Sequence, residues 1–347
     1  MINTIKDRID TELHKFAADL DKLYSLKKIS PLLTRNIQNF IVRPGKRTRP
    51  LLFIIGYMGF SKNHPKGLYR SSLSAELLHD FMLIHDDIID KSDMRRNLPS
   101  MHAMLNMYLK EFKDIKFNGQ DLAIVTGDVL YAIAIDTFLS IKEKESRKAK
   151  ALKKFIEAAI YTGSGEFIEL LYGIKDIEQI TKEDIYKIYN YKTAYYTFAC
   201  PLSIGAILAG ASQSQIELLS KCGLYLGNAF QIQDDLLGMF CEEKKTGKSC
   251  LVDLQESKKT ILIWHAYNNS LASGKSVIRK ILSKKNIRQN DFIKMREIVI
   301  QTGAKATAEK EINSLIRKAF VLIESSRMYP QYKQLLVAYS KKILSVE

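Results

Sequence analysis

Apolar residues recur along the chain at intervals of three and four, as in Ile5, Ile9, Leu13, Phe16 and Leu20, and again in Leu122, Ile124, Val129, Leu130, Ile133 and Phe138. That period is the signature of helices with one buried face. No run of alternating β-branched residues bounded by turn dipeptides interrupts it, and no internal repeat is visible. Breaks fall near Pro31, at Arg43-Pro44-Gly45, Asn63 to Gly67, Asn97 to Pro99, Asn118-Gly119, Gly173 to Glu178, Lys245 to Lys248 and near Gly303. They leave about ten helices of roughly 10–25 residues. Leu51 to Phe60 is an apolar run too short to span a bilayer and reads as a central buried helix. Thr193 to Ile216 carries no charge and is long enough to span one. Its Gly205, Gly210 and Ser212 to Gln215 make it instead a buried helix, with a break expected near Pro201. The pattern implies an all-α fold, a single domain over residues 1–347.

Composition narrows this little, because 46% hydrophobic and 26% charged residues are ordinary for a globular chain and exclude disorder. Charge changes the picture more. With 53 Lys+Arg against 38 Asp+Glu, the net charge of +15 raises the possibility of nucleic acid or an anionic membrane as partner. The basic runs Lys142 to Lys154 and Lys275 to Lys285 carry no interleaved aromatics, which disfavours nucleic acid. The four cysteines, Cys200, Cys222, Cys241 and Cys250, have no paired spacing, and no signal peptide opens the chain. A cytoplasmic location is the expectation.

The informative chemistry lies where a core helix should be apolar. Ala75 to His102 contains Leu77, Leu78, Met82, Leu83, Ile84, Ile88 and Ile89, yet also Glu76, His79, Asp80, His85, Asp86, Asp87 and Asp90. At about 100° per residue, Asp86 and Asp90 stack one turn apart, with His79 two turns back on nearly the same line. Carboxylates so stacked repel unless a cation sits between them, and hard oxygen donors suit Mg²⁺. A solvated acidic helix end is the alternative. A second cluster tips the balance: Gln231, Asp234 and Asp235 interrupt another apolar helix in FQIQDDLLGMF. Two opposed aspartate clusters holding several Mg²⁺ ions would form a receptacle for a diphosphate, and the basic groups Lys46, Arg47, Arg49, Arg95, Arg96, Lys192, Lys248 and Lys258 would supply its counter-charges. The segment GKRTR lacks the spacing of a P-loop.

With these motifs in place, the chain resembles the trans-isoprenyl diphosphate synthases. HDDIIDKSDMRR resembles the first aspartate-rich motif with its arginine pair, and FQIQDD the second. GKRTRP, TGDVLYA around Gly127-Asp128, KTAYYTFACP and the tail Gly247, Lys248, Asp253, Lys258, Lys259, Thr260 follow in the family's order. The resemblance runs from about Leu20 to the C-terminus and implies a helical bundle around a central cavity, acting as a homodimer. It implies Mg²⁺-dependent head-to-tail condensation of isopentenyl diphosphate with an allylic diphosphate: dimethylallyl, geranyl or farnesyl. Carried over, Asp86, Asp90 and Asp234 would hold up to three Mg²⁺ ions, supported by Asp87 and Asp235. Arg95, Lys192, Lys248 and Lys258 would bind the allylic diphosphate, and Lys46, Arg49, His79 and Arg96 the isopentenyl diphosphate. Thr193 and Gln231 would face the carbocation, and the departed diphosphate would take the proton.

Side-chain bulk before the first motif sets product length in this family. Phe81 and Met82 are the candidates here, in a pattern similar to archaeal-type geranylgeranyl diphosphate synthases; C15 and C25 products are the alternatives. On a helical wheel Met82 lies one turn below the carboxylates, while Phe81 is about 140° from Asp86. The chain departs from the family at Asn97, Glu166, Glu169, Ser257 and Gly238, the last replacing a carboxylate of the second motif. Gly238 keeps open the reading of a non-catalytic subunit of a heteromeric synthase. The net charge keeps open peripheral membrane association, but no transmembrane segment is expected.

Overall fold

A computed structural model describes residues 1–95, 97–240 and 252–344. Almost all of the described elements are helices; the exception is a two-residue antiparallel ladder, β1 (Met94–Arg95) against β2 (Leu98–Pro99). The chain forms two compact units. The first comprises Met1–Phe155, Pro201–Ile216 and Arg327–Leu336; the second comprises Ile156–Cys200, Glu217–Ser326 and Val337–Glu347.

The first unit contains α1 (Ile2–Tyr24), α2 (Leu26–Ile29), α3 (Pro31–Ile41), α4 (Thr48–Met58), α5 (Leu68–Ile89), α6 (Met101–Leu109) and α7 (Gly119–Phe138). Local chemistry sets their ends. Ser30 caps α3, its hydroxyl accepting from Leu33 N–H at 3.2 Å with Pro31 opening the helix. Asn118 and Asp121 form a reciprocal capping box at α7. Every residue of α4 is buried, as its unbroken apolar run requires. Close approach is built in: a Cβ on Gly56 would lie 2.4 Å from the Leu202 carbonyl oxygen, so this side of α4 accepts only glycine.

The second unit takes the C-terminal part of α8 (Glu145–Gly173), α9 (Lys182–Ile188), a π-helical segment (Tyr189–Ala199) and most of α11 (Gln213–Phe240). Further helices follow at Ile261–Asn269, Ala272–Leu282, Gln289–Gln301 and Ala304–Ser325. Between the π-helical segment and α11 lies α10 (Cys200–Ala209). The expected break near Pro201 is absent. Cys200 before it keeps right-handed helical angles (φ −65°, ψ −52°), so helical backbone lies on both sides of Pro201, and the chain turns instead at Gly210, whose φ of +84° suits a residue without a Cβ. No helix among the described residues is long and apolar enough to cross a membrane.

Candidate active site

In the first unit, the acidic segment closes α5. Asp90 caps the helix, its N–H bonded to the Asp86 carbonyl at 2.8 Å, and carboxylate oxygens of Asp86 and Asp90 come within 4.8 Å of each other. The one-turn stack is therefore present. Asp87 is 0% exposed and faces Arg95, delivered by β1. The guanidinium makes a fork: Nε to Asp87 Oδ1 at 2.7 Å and Nη2 to Asp86 Oδ2 at 2.9 Å. Burial works against the Arg95 charge, but the hydrogen bonds and field of Asp87 and Asp86 outweigh it and raise its pKa. Arg95 thus links the buried and the accessible member of the pair.

The basic segment before α4 is anchored by Arg47, which the sequence counted only among the counter-charges for a diphosphate and which instead pairs within the protein. Arg47 adopts a left-handed φ of +52° and turns its side chain inward, donating to Asp10 and to buried Glu76, each at 2.8 Å. Lys46 beside it is left exposed, while Arg49 is buried in the first turn of α4. His79 is half-buried on α5. Phe81 stacks on Tyr131 of α7 with centroids 5.0 Å apart, and meets the edge of His85 at 4.7 Å. Met82 is also half-buried. Gly127 now has a purpose: a Cβ there would lie 2.4 Å from His85 Cε1, so its absence lets α7 close over the imidazole. His85 Nε2 lies 3.6 Å from Asp128.

In the second unit, Lys192 and Thr193 occupy the π-helical segment, a geometry that marks functional sites more often than ordinary helix does. A Cβ on Gly165 would lie 2.4 Å from the Lys192 backbone nitrogen, so α8 approaches the segment there at backbone distance. That approach seats the Lys192 ammonium between Glu166, at 2.7 Å, and Glu169. Thr193 donates its hydroxyl to Gln231 Oε1 at 2.8 Å, so the two proposed oxygen dipoles touch. Gln231 Nε2 in turn donates to Asp235 Oδ1 at 3.0 Å, and buried Tyr189 donates to Asp235 Oδ2. Sequence reasoning missed Tyr189; its only signal was a position three residues before Lys192, one turn back on the helix. Asp234 is exposed on α11, and Lys258 pairs with Glu256 at 2.6 Å. Arg96 and Lys248 lie outside the described residues.

Within the first unit this arrangement offers hard oxygen donors beside guanidinium groups. Within the second it offers an ammonium, a hydroxyl and an amide on adjoining helices. Oxygen donors of this kind fit Mg²⁺, and the basic groups fit phosphate oxygens. Such a set serves a trans-prenyltransferase. A family model described as polyprenyl synthetase matches residues 30–299, and the chain belongs to that family. It is 30% identical over 295 residues to the short chain isoprenyl diphosphate synthase of Methanocaldococcus jannaschii, covering 85% of this chain and 81% of that one. It is also 30% identical over 301 residues to the geranylgeranyl diphosphate synthase of Sulfolobus acidocaldarius, covering 86% and 82%. The fold is similar to the crystal structure of geranylgeranyl pyrophosphate synthase from Corynebacterium glutamicum, complexed with isoprenyl diphosphate and magnesium. That likeness has a TM-score of 0.86 at 24% identity and spans 100% of this chain and 98% of the other.

Proposed function

We propose that the protein catalyses Mg²⁺-dependent head-to-tail condensation of isopentenyl diphosphate with dimethylallyl, geranyl or farnesyl diphosphate, ending at the C20 product, geranylgeranyl diphosphate. The observation that carries this reading is the Asp86/Asp90 stack with Arg95 forked onto Asp86 and Asp87. In this reading Asp86, Asp90 and Asp234 hold up to three Mg²⁺ ions, which when bound neutralise the leaving diphosphate. Arg95, Lys192, Lys248 and Lys258 bind the allylic diphosphate; Lys46, Arg49, His79 and Arg96 bind isopentenyl diphosphate. Thr193 and Gln231 place lone pairs toward positive charge as it develops on the allyl carbon, a fixed dipole that needs no reorganisation at the moment of reaction. Asp87 and Asp235, both buried, hold their neighbours in place. Phe81 or Met82 limits chain growth. The protein acts as a homodimer.

Incubating the purified protein with labelled isopentenyl diphosphate and each allylic starter, with and without Mg²⁺, tests this. The expected result is a Mg²⁺-dependent C20 alcohol after dephosphorylation. A C15 or C25 product retains the enzyme and rejects the product length, whereas no product from any starter rejects the catalytic reading.

A further inference from the structure

Around Asp235 runs a chain of hydrogen bonds whose donor and acceptor directions are fixed. Tyr189 is buried at 5% exposure, and its hydroxyl accepts from the Ile261 backbone N–H at 2.9 Å while donating to Asp235 Oδ2. An ionised carboxylate only accepts, so the group of Gln231 that faces Asp235 Oδ1 at 3.0 Å is its NH₂. Its carbonyl oxygen therefore faces Thr193, and the Thr193 hydroxyl must donate to it at 2.8 Å. With its proton so engaged, Thr193 Oγ1 keeps its lone pairs free for another partner. The Ile261 N–H is one of the unpaired donors of a helix start, directly after Lys258, Lys259 and Thr260. One phenol thus ties together the π-helical segment, α11 and the start of the helix at Ile261.

We propose that Tyr189 is a positioning residue for the condensation: through Asp235 it fixes the amide orientation of Gln231 and hence the hydroxyl direction of Thr193. This rests on the synthase reading above. Without the phenol, the Asp235 carboxylate can rotate, the amide can flip, and the hydroxyl proton of Thr193 can turn toward the developing cation instead of its lone pairs. Rate would suffer far more than substrate affinity, because Tyr189, Gln231 and Thr193 are not assigned to a diphosphate and Asp235 bears on one only indirectly, through Asp234. Tyr189 is strongly buried beside Asp235, and both effects push its pKa well above the ordinary phenol value, so it stays a donor throughout the usable pH range.

The test is Tyr189→Phe, assayed with geranyl and isopentenyl diphosphates below the melting midpoint of the least stable variant. The expected outcome is a fall in kcat of roughly tenfold to 100-fold, the range for residues that orient a functional group, with KM for both substrates within about twofold. Tyr189→His, which keeps a ring N–H donor but fits the space less well, should recover part of the lost kcat. A packing role would instead make His the worse replacement. Adding Thr193→Val should make Tyr189→Phe nearly silent, since the relay then has no end. Unchanged kcat in Tyr189→Phe, a loss confined to KM, or independent multiplication of the two losses overturns the proposal. If the unmodified protein makes no Mg²⁺-dependent product, it is the synthase reading that fails.

Discussion

The two acidic segments solve one problem with different partners. Each sets two adjacent aspartates in an apolar helix, one member buried and the other open. Asp87 is 0% exposed beside Asp86, whose side chain is 26% exposed, and Asp235 is 7% exposed beside the exposed Asp234. In the first segment a guanidinium holds the buried carboxylate; in the second a phenol and an amide do so. The guanidinium cancels charge locally and reaches the open neighbour as well. The phenol and the amide fix Asp235 in direction and are themselves neutral. The first arrangement makes a rigid charge pair, and the second makes an orientation device for the polar groups next to it.

The largest expected effect comes from the open member of the first pair. Asp86→Asn removes a carboxylate from the Asp86/Asp90 stack and should lower kcat by about 10²–10³-fold, the scale for losing a group that stabilises charge in the transition state. Steady-state kinetics across a Mg²⁺ titration would check it. A residual rate restored by high Mg²⁺ would mean that the stack serves metal affinity alone.

Stability sharpens the comparison next. Arg95→Met takes the fork away from buried Asp87, and removing one partner of a buried ion pair typically costs about 3–5 kcal/mol. Tyr189→Phe removes a neutral donor to a carboxylate and should cost only about 1.5–3 kcal/mol. Urea unfolding of both variants would show whether the charged clamp bears more of the stability, and equal losses would erase the distinction between the segments.

A third carboxylate joins both kinds of partner. Glu311 accepts from His265 at 2.9 Å and Tyr186 at 2.7 Å, and pairs with Lys182. Burial alone would raise its pKa, but His265, Lys182 and Tyr186 outweigh burial and bring it from 4.5 to about 2. A depressed carboxylate contributes stability that is fully present above its unfolded value near 4.5 and is lost as pH falls through about 2. Glu311→Gln should therefore destabilise the protein by roughly 1–2 kcal/mol at pH 7, after allowance for solvent screening, and progressively less below pH 4. Denaturant midpoints of the two proteins at both pH values would check the convergence.

Much of this was legible in the sequence, for reasons that differ from group to group. The helical period located α4 and α5 because their apolar faces are continuous, and the one-turn spacing of Asp86 and Asp90 is a property of any α-helix. Three features were not legible. The turn at Gly210 was misplaced to Pro201 because proline reads as a helix breaker, whereas here the helical backbone continues on both sides of it. The inward turn of Arg47 depends on a positive φ that the sequence does not announce in a residue with a side chain. Tyr189 reaches Asp235 across 46 residues and Ile261 across 72, separations at which no local period operates. Gly127 and Gly165 lie between these cases: both stood in the sequence, but their purpose, clearance for His85 and for the Lys192 backbone, needs the neighbouring helix.

The smallest effect on turnover concerns chain length, and here the two candidates make opposite predictions. Phe81 is pinned on two sides, stacked on Tyr131 at an interplanar angle of 27° and edge-on to His85 at 64°. Such ring pairs contribute about 0.5–1.5 kcal/mol beyond their buried area, so Phe81 is held in place before any product meets it. Met82 is half-buried, and its unbranched side chain adapts to whatever lies against it. If a fixed wall ends chain growth, Phe81→Ala should lengthen the product from C20 to C25 with kcat within about threefold, and Met82→Ala should leave the length unchanged. Truncating Tyr131 to Ala should then mimic Phe81→Ala in part, because the wall loses its backing. Chromatography of the dephosphorylated alcohols separates the cases. Lengthening by Met82→Ala alone would place the limit one turn below Asp86, on the line where the helical wheel puts Met82, and would leave Phe81 as packing between α5 and α7.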